Sequence, residues 1–243
     1  MLVLYFSVSE FYKFASKDTL FFREKQEIRW LYVLHSFFFR IFATMNEENI
    51  KLSENVIIAD ADYIDHVAFM LSVQFERIIG RKIPQADLSQ WIVCIALDGG
   101  LRNKGKKHET QVVLIHEAKN KKMENFQPSD YEKELNAQAF EDKELGEFIV
   151  NAFAINDIAS KDEYMLDIVK TVCNHDEVSR VMIIPNGEEG DIYDRLRDTL
   201  RNVDEDKHIT MFAMQPMPGG NFKQEILGYS LMSALGIRAE EIK

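Results

Sequence analysis

Short apolar runs rich in β-branched residues alternate with segments of helical periodicity from residue 55 onward, and this alternation limits the possible folds most strongly. Helical patterns separate most of the runs, including one from Ser129 to about residue 143. Strands are predicted at residues 56–59, 91–97, 111–118, 147–155, 180–185 and 208–214. Such alternation predicts a three-layer α/β/α fold.

At one place in the alternation no helix separates two apolar runs, and this makes one pair of strands in the expected sheet antiparallel. No helix fits between the runs at 91–97 and 111–118, so these two runs are predicted to form an antiparallel hairpin. The expected sheet therefore has about six strands and is mixed but mostly parallel.

The overall composition narrows the kinds of partner. The 243 residues carry a formal net charge of −11 and are 46% hydrophobic, which is typical of a folded domain. The charge disfavours nonspecific binding to DNA and to anionic membranes, because both are negative. Cys94 and Cys173 lie in apolar surroundings without a metal-ligand spacing, so we interpret them as reduced core thiols and expect a cytoplasmic protein.

Residues 1–44 differ from the rest, with nine of the 17 phenylalanines and six basic against four acidic residues. The apolar segment at 31–44 is shorter than the roughly 20 residues of a membrane span, so no span is expected. One interpretation is that residues 1–44 are an extension outside the natural protein, which would then begin at Met45. The alternative is an amphipathic arm that packs on the domain or touches a membrane surface. No linker divides residues 45–243, which are predicted to form a single domain.

Two stretches carry a family resemblance. They are ADADYIDHVAFMLS, residues 59–72, and QPMPGGNFKQEILGYSLMSALGI, residues 215–237. Over residues 45–243 the chain resembles an uncharacterised bacterial domain family. The resemblance implies a folded domain and a start at Met45, and it implies no activity.

The acids after the first predicted strand are the first candidate site. Asp60 and Asp62 are two positions apart, so in extended chain their side chains point the same way. Ligands bind beyond the carboxyl ends of parallel strands, and Asp98 follows the predicted strand 91–97. Three carboxylates that converge there could hold Mg²⁺ or Mn²⁺ and activate water, with His66 as a ligand or proton carrier.

These acids allow two interpretations. The Asp-x-Asp motif resembles the PIN/NYN group of metal-dependent nucleases, and this resemblance implies a metal-dependent hydrolase. The competing interpretation is that Asp60 and Asp62 cap the next helix and complement its dipole.

A glycine-rich stretch is the second candidate site. In PMPGGN, Gly219 and Gly220 precede a predicted helix that starts at Asn221. Backbone N–H groups of such a loop can approach a phosphate at a helix N-terminus, so these three residues are candidates for binding a nucleotide or anion. A turn required by the two prolines and two glycines is the alternative.

The predicted last helix, residues 221–237, has apolar residues on more than one face. A single core contact would leave apolar surface exposed, so a homodimer through this helix is predicted. The apolar positions are Ile226, Leu227, Leu231, Met232 and Leu235.

The sequence is compatible with three functions. The first is a non-enzymatic binding or interaction protein, which makes the fewest demands on the residues. The second is a Mg²⁺- or Mn²⁺-dependent phosphoester or nucleic-acid hydrolase that uses Asp60, Asp62 and Asp98. The third is a nucleotide or anion binder that uses the loop at 219–221.

Overall fold

A computed structural model of the chain describes residues 52–103, 105, 107–156 and 160–242. The expectations for residues 1–44 and for Met45 lie outside these residues. From Leu52 onward the chain forms one compact unit. No helix in the described ranges is long and apolar enough to cross a membrane.

A seven-stranded sheet lies at the centre of this unit. Seven of the nine strands in the described residues form this sheet, and the nine strands are β1 (Asn55–Asp60), β2 (Ala86–Asp87), β3 (His108–Glu117), β4 (Phe126–Gln127), β5 (Gln138–Asp142), β6 (Gly146–Ile155), β7 (Arg180–Ile184), β8 (His208–Ala213) and β9 (Lys223–Ile226). The order in the large sheet is β5-β6-β3-β1-β7-β8-β9, and β2 pairs with β4 separately. Neighbours in the large sheet are parallel except β5 and β6. The predicted mixed, mostly parallel α/β sheet with one antiparallel hairpin is confirmed, with seven strands.

Helices cover both faces of the sheet. They are α1 (Ala61–Ile79), α2 (Leu88–Asp98), α3 (Lys161–Cys173), α4 (Ile192–Thr199) and α5 (Leu227–Ala234). Buried residues of α1, α2 and α5 pack on one face, and those of α3 and α4 pack on the other. Along β1, Ile57 belongs to the first cluster and Ile58 to the second, as the alternation of side chains in a strand requires. The three-layer arrangement is confirmed.

The run at residues 91–97 is helical, so the predicted hairpin with 111–118 is wrong. A continuous apolar run fits a buried helix as well as a buried strand. Here Asp87 caps the helix by accepting the backbone N–H of Gln90 at 3.0 Å. Within α2, Trp91 and Ile95 are fully buried one turn apart.

The antiparallel hairpin is formed by β5 and β6 instead. The predicted helix from Ser129 to about residue 143 is therefore wrong. Only a single π-helical turn forms, at Tyr131–Leu135, and Asp130 caps it. The chain then enters β5 directly.

The predicted last helix also begins later than expected. Residues 223–226 form β9, and α5 starts at Leu227. Leu227, Leu231 and Leu235 are fully buried within the chain's own core, so they no longer argue for a dimer. The homodimer stays a prediction.

Candidate functional site

The order of the parallel strands reverses at β1. The chain proceeds from β1 to β3 and β6 on one side, then crosses back to β7, β8 and β9 on the other. β1 and β7 are parallel neighbours, with Ala59 beside Ile184. In open α/β sheets, ligands bind in the crevice beyond the carboxyl ends of the strands at such a reversal. The residues that follow Ala59 and Ile184 are therefore the first place to look for a site.

Asp60 ends β1 and caps α1. Its Oδ1 accepts the backbone N–H of Tyr63 at 3.0 Å, so the predicted capping of the helix by Asp60 is what the structure shows. The Asp60 side chain is only 4% exposed. The same Oδ1 also accepts a hydrogen bond from Lys161 Nζ at 2.7 Å. A buried carboxylate at this edge is thus paired with a cation of the chain itself.

Lys161 is the first residue of α3 and lies between two carboxylates. Its Nζ is 2.9 Å from Asp62 Oδ2 as well as 2.7 Å from Asp60 Oδ1. Lys161 was not among the site residues predicted from the sequence. A lysine at a helix N-terminus is unfavourable next to the positive end of the helix dipole, so its position was a signal that a carboxylate partner lies nearby.

The other acids of this stretch tie α1 to its neighbours. Asp62 accepts the backbone N–H of Glu117 at 2.9 Å and the Asn120 side-chain amide at 2.6 Å. Asp65 accepts the backbone N–H of Asn125 at 2.8 Å. The acids after β1 therefore hold the end of β3 and the following segment against α1.

The charges of the Asp60–Lys161–Asp62 triad follow from burial and pairing. Burial raises the pKa of Asp60, although Lys161 acts in the opposite direction. Burial also acts to raise the pKa of Asp62, but hydrogen bonds from Lys161 and Asn120 outweigh it, and this pKa is lowered. The pKa of Lys161 is raised, because the two carboxylates outweigh its burial. Lys161 is protonated at neutral pH, and its positive charge lies between the two carboxyl groups.

His116, which the sequence did not predict as a site residue, lies near the triad. His116 is buried on β3, and its ring stacks on that of Tyr131 with centroids 3.7 Å apart. Burial lowers the pKa of His116, while Asp62 acts to raise it, so the ring is neutral at neutral pH. His66, the predicted ligand or proton carrier, lies on the exposed side of α1.

Asp98 does not join Asp60 and Asp62. It ends α2, and its carbonyl oxygen accepts a hydrogen bond from Lys223, the first residue of β9. Asp98 therefore lies near the amino edge of the sheet, whereas Asp60 ends β1 at the carboxyl edge. The predicted convergence is wrong because residues 91–97 form a helix. Among the residues that the structure describes, no group of three or more His, Cys, Asp or Glu is arranged to hold a metal ion.

The glycine-rich stretch precedes a strand. Gly219, Gly220 and Asn221 are exposed and lead into β9, so the predicted helix N-terminus is not there. The Asn221 side-chain amide donates to the carbonyl oxygen of Val203 at 3.2 Å. The expected phosphate site on a helix dipole therefore loses its physical basis.

An acidic rim lies beside the triad at the carboxyl edge. Its members lie at the start of α3 and in the loop between β7 and α4; they are Asp162, Glu163, Glu188, Glu189 and Asp191. Glu188 accepts a hydrogen bond from the Tyr63 hydroxyl at 3.1 Å. Arg195 pairs with Glu163 at 2.5 Å and lies 3.8 Å from Asp191. The sequence signal for this rim was NGEEGD, a run of acids directly after a buried strand.

Comparisons with known proteins give a family. No curated protein matches the chain, and no solved structure does. The model of DUF6621, a family of unknown function, matches residues 49–242, a range that includes every strand and helix described above. The chain therefore belongs to the DUF6621 family.

Proposed function

We propose that the protein is a non-enzymatic binding protein and that the acidic rim at the carboxyl edge of the sheet receives a cationic ligand or partner. The observation that carries the proposal is the position of Lys161. Its ammonium group fills the space between Asp60 and Asp62, and the rim outside it stays acidic.

Lys161 supports a binding role over metal catalysis. A divalent cation held by Asp60 and Asp62 would have to replace two ion pairs in a site where all three side chains are at most 20% exposed. Breaking a buried pair leaves a charge without its partner, which costs several kcal/mol. The triad therefore serves as a fixed structural element under the rim.

The charge of the rim supports a cationic partner. Its five acids face one arginine, Arg195, and the chain as a whole carries a net charge of −11. An edge of one sign attracts ligands of the opposite sign and raises their association rate at low salt. A lysine- or arginine-rich peptide segment, or a polyamine, has the matching chemistry.

An oligolysine peptide is a suitable probe, with binding followed by calorimetry at low salt. In the rim variant Glu188→Gln/Glu189→Gln/Asp191→Asn, we expect binding about tenfold weaker, because each exposed charge contributes roughly 0.5 kcal/mol. The control variant Asp204→Asn/Glu205→Gln/Asp206→Asn has the same change in net charge, in a turn that precedes β8. Equal weakening in the two variants would show that the peptide senses only net charge and would refute the rim as the binding surface.

A Mg²⁺- or Mn²⁺-dependent phosphoester or nucleic-acid hydrolase is the second candidate. The observation in its favour is that the carboxylates of Asp162 and Asp191 lie close together. Burial raises the pKa of Asp162, and the negative charge of Asp191 acts in the same direction. Acids from β1, α1, α3 and the β7–α4 loop thus share one edge. A metal would require Lys161 to move away.

Hydrolysis of bis-p-nitrophenyl phosphate separates the two candidates. We expect no Mn²⁺-dependent hydrolysis by the parent protein. Mn²⁺-dependent turnover that disappears in Asp60→Asn would make hydrolysis the function.

A further inference from the structure

A cavity of about 350 Å³ lies at the amino edge of the sheet, opposite to the acidic rim. Its walls come from the start of β7, the start of β8, the start of β9 and the turn after α2. A volume of this size lies within the range of small-molecule sites. Because the cavity is separate from the carboxyl edge, a ligand bound in it would be independent of the proposed function.

The strands place basic groups around this cavity. Arg180, His208 and Lys223 are the first residues of three neighbouring parallel strands, β7, β8 and β9, and all three line the cavity. Arg180 is directly beside His208 in the sheet register. Lys207 adds a further cation. Parallel strands that start with basic residues thus build one positive wall.

The sign of the charge in the cavity is opposite to that of the chain. Three permanent cations and one histidine line it, and no Asp or Glu is among its lining residues in the described part of the chain. The protein as a whole has 40 acidic and 29 basic residues. Among the described residues, three acids act on the wall: Glu225 pairs with Lys223, Asp98 lies near the same lysine, and Glu54 acts on Arg180.

Arg180 and Lys207 also donate hydrogen bonds within the chain, and these bonds use only some of their N–H groups. Arg180 donates to the carbonyl oxygen of Gly99 at the end of α2, which uses one of the five N–H groups of a guanidinium. Lys207 donates to the carbonyl oxygens of His175 and Val178, two of its three N–H groups. Burial lowers the pKa of Arg180, so its charge is poorly solvated. An anion in the cavity would compensate for that loss of solvation.

We infer that this cavity binds a phosphate-bearing small molecule, with Arg180, Lys207 and Lys223 as the ligands of the phosphate group. Arginine and lysine are the side chains that bind phosphate through charge-assisted hydrogen bonds. Phe222 and Ile209 supply apolar wall beside them, which favours a phosphate attached to an organic group. Asn221, one of the residues singled out from the sequence, lines the same cavity.

The probes are inorganic phosphate and AMP, with adenosine as the uncharged control, measured by calorimetry on the full chain. We expect phosphate and AMP to bind and adenosine not to bind. Tighter binding of AMP than of phosphate would identify an organic phosphate as the ligand, and equal affinity would identify the phosphate group alone. The absence of binding by both at millimolar concentration would overturn the inference.

Variants locate the site. Lys223→Gln removes one cation from a side chain that is 60% exposed, and we expect phosphate to bind about tenfold more weakly, as for the loss of a charge-assisted hydrogen bond. Arg180→Gln should weaken phosphate binding further than Lys223→Gln does. If Arg180→Gln fails to fold, Lys223→Gln still tests the site. Lys133→Gln, at an 81% exposed side chain of the π-helical turn, is the matched control and should bind like the parent. Unchanged affinity in both Lys223→Gln and Lys207→Gln would refute the site.

Discussion

Lys161 Nζ lies 2.7 Å from Asp60 Oδ1, although the two residues are 101 positions apart in the chain. The contact joins the end of β1 to the start of α3, the helix through which the chain crosses from β6 to β7. It therefore fixes the start of the crossover helix against the central strand, at the point where the strand order reverses.

This pairing predicts a large loss of stability in Lys161→Met. The substitution leaves the Asp60 carboxylate buried without its cation, and we expect the free energy of unfolding to fall by about 3 kcal/mol. Asp60→Asn/Lys161→Met should lose less than the two single variants together, because the second substitution removes the unpaired charge. Urea unfolding of the four proteins measures both effects.

Lys133→Met is the control for the loss of a lysine. Lys133 lies 3.5 Å from Asp130 in an exposed ion pair, and the variant should lose less than about 1 kcal/mol. If Lys161→Met and Lys133→Met cost the same, the buried pairing does not stabilise the fold in the way described.

Asp65→Ala should loosen one segment only. Asp65 accepts the backbone N–H groups of Glu124 and Asn125, so both amides lose their acceptor in the variant. The loss of about 1 kcal/mol per hydrogen bond corresponds to about fivefold faster amide exchange at these two positions. Hydrogen exchange measures this, with the amide of Val112 in β3 as internal control. Equal acceleration at Val112 would mean that the substitution destabilises the whole domain.

The C-terminal ion pair gives a pH-dependent prediction. Hydrogen bonds from Arg81 hold the pKa of Glu241 at about 2, against an ordinary value of 4.5. A carboxylate with a lowered folded-state pKa stabilises the fold fully above its unfolded-state pKa, and this contribution is lost as the pH falls from about 4.5 through about 2. Melting temperatures of the parent and Glu241→Gln should therefore differ at about pH 7 and converge toward about pH 2. A constant difference across this range would contradict the pairing.

The two thiols should react slowly in the folded protein. Burial raises the pKa of Cys173 to about 11 from an ordinary value of 9.0, which lowers its thiolate fraction about a hundredfold at neutral pH. Cys94 is partly exposed, and burial also raises its pKa. Alkylation by iodoacetamide, followed by mass spectrometry, should modify Cys94 before Cys173 and both more slowly than in the urea-unfolded chain. Faster labelling of Cys173 would show that its helix opens locally.

Local sequence patterns predicted the structural features that are set by residues close together in the chain, such as a strand and the cap of the helix that follows it. The run that ends at Asp60 predicted both β1 and the cap of α1, since a strand, its end and a helix cap are all set within a few residues. The run at 91–97 was wrongly predicted to be a strand. When a segment is buried on all sides, every position is apolar, and the spacing that distinguishes a helix from a strand is lost. Tertiary contacts decided that case.

The partner of Asp60 could not be predicted in the same way. Lys161 reaches Asp60 only because α3 crosses the sheet from β6 to β7, and strand order is not encoded in any local pattern. The placement of Asp98 failed along with the strand that was expected to carry it. The acidic rim was visible as NGEEGD, but its position beside the triad again depends on the crossover.

The most direct test of the account is the melting temperature with and without Mn²⁺ in the parent protein and in Lys161→Met. With Lys161 in place, Asp60 and Asp62 already have their cation, so we predict no change in the parent. Lys161→Met leaves two close carboxylates, so Mn²⁺ should raise its melting temperature, and Asp62→Asn/Lys161→Met should lose that effect. A parent protein that Mn²⁺ stabilises, with the effect abolished in Asp62→Asn, would contradict the account and establish a metal centre at Asp60 and Asp62.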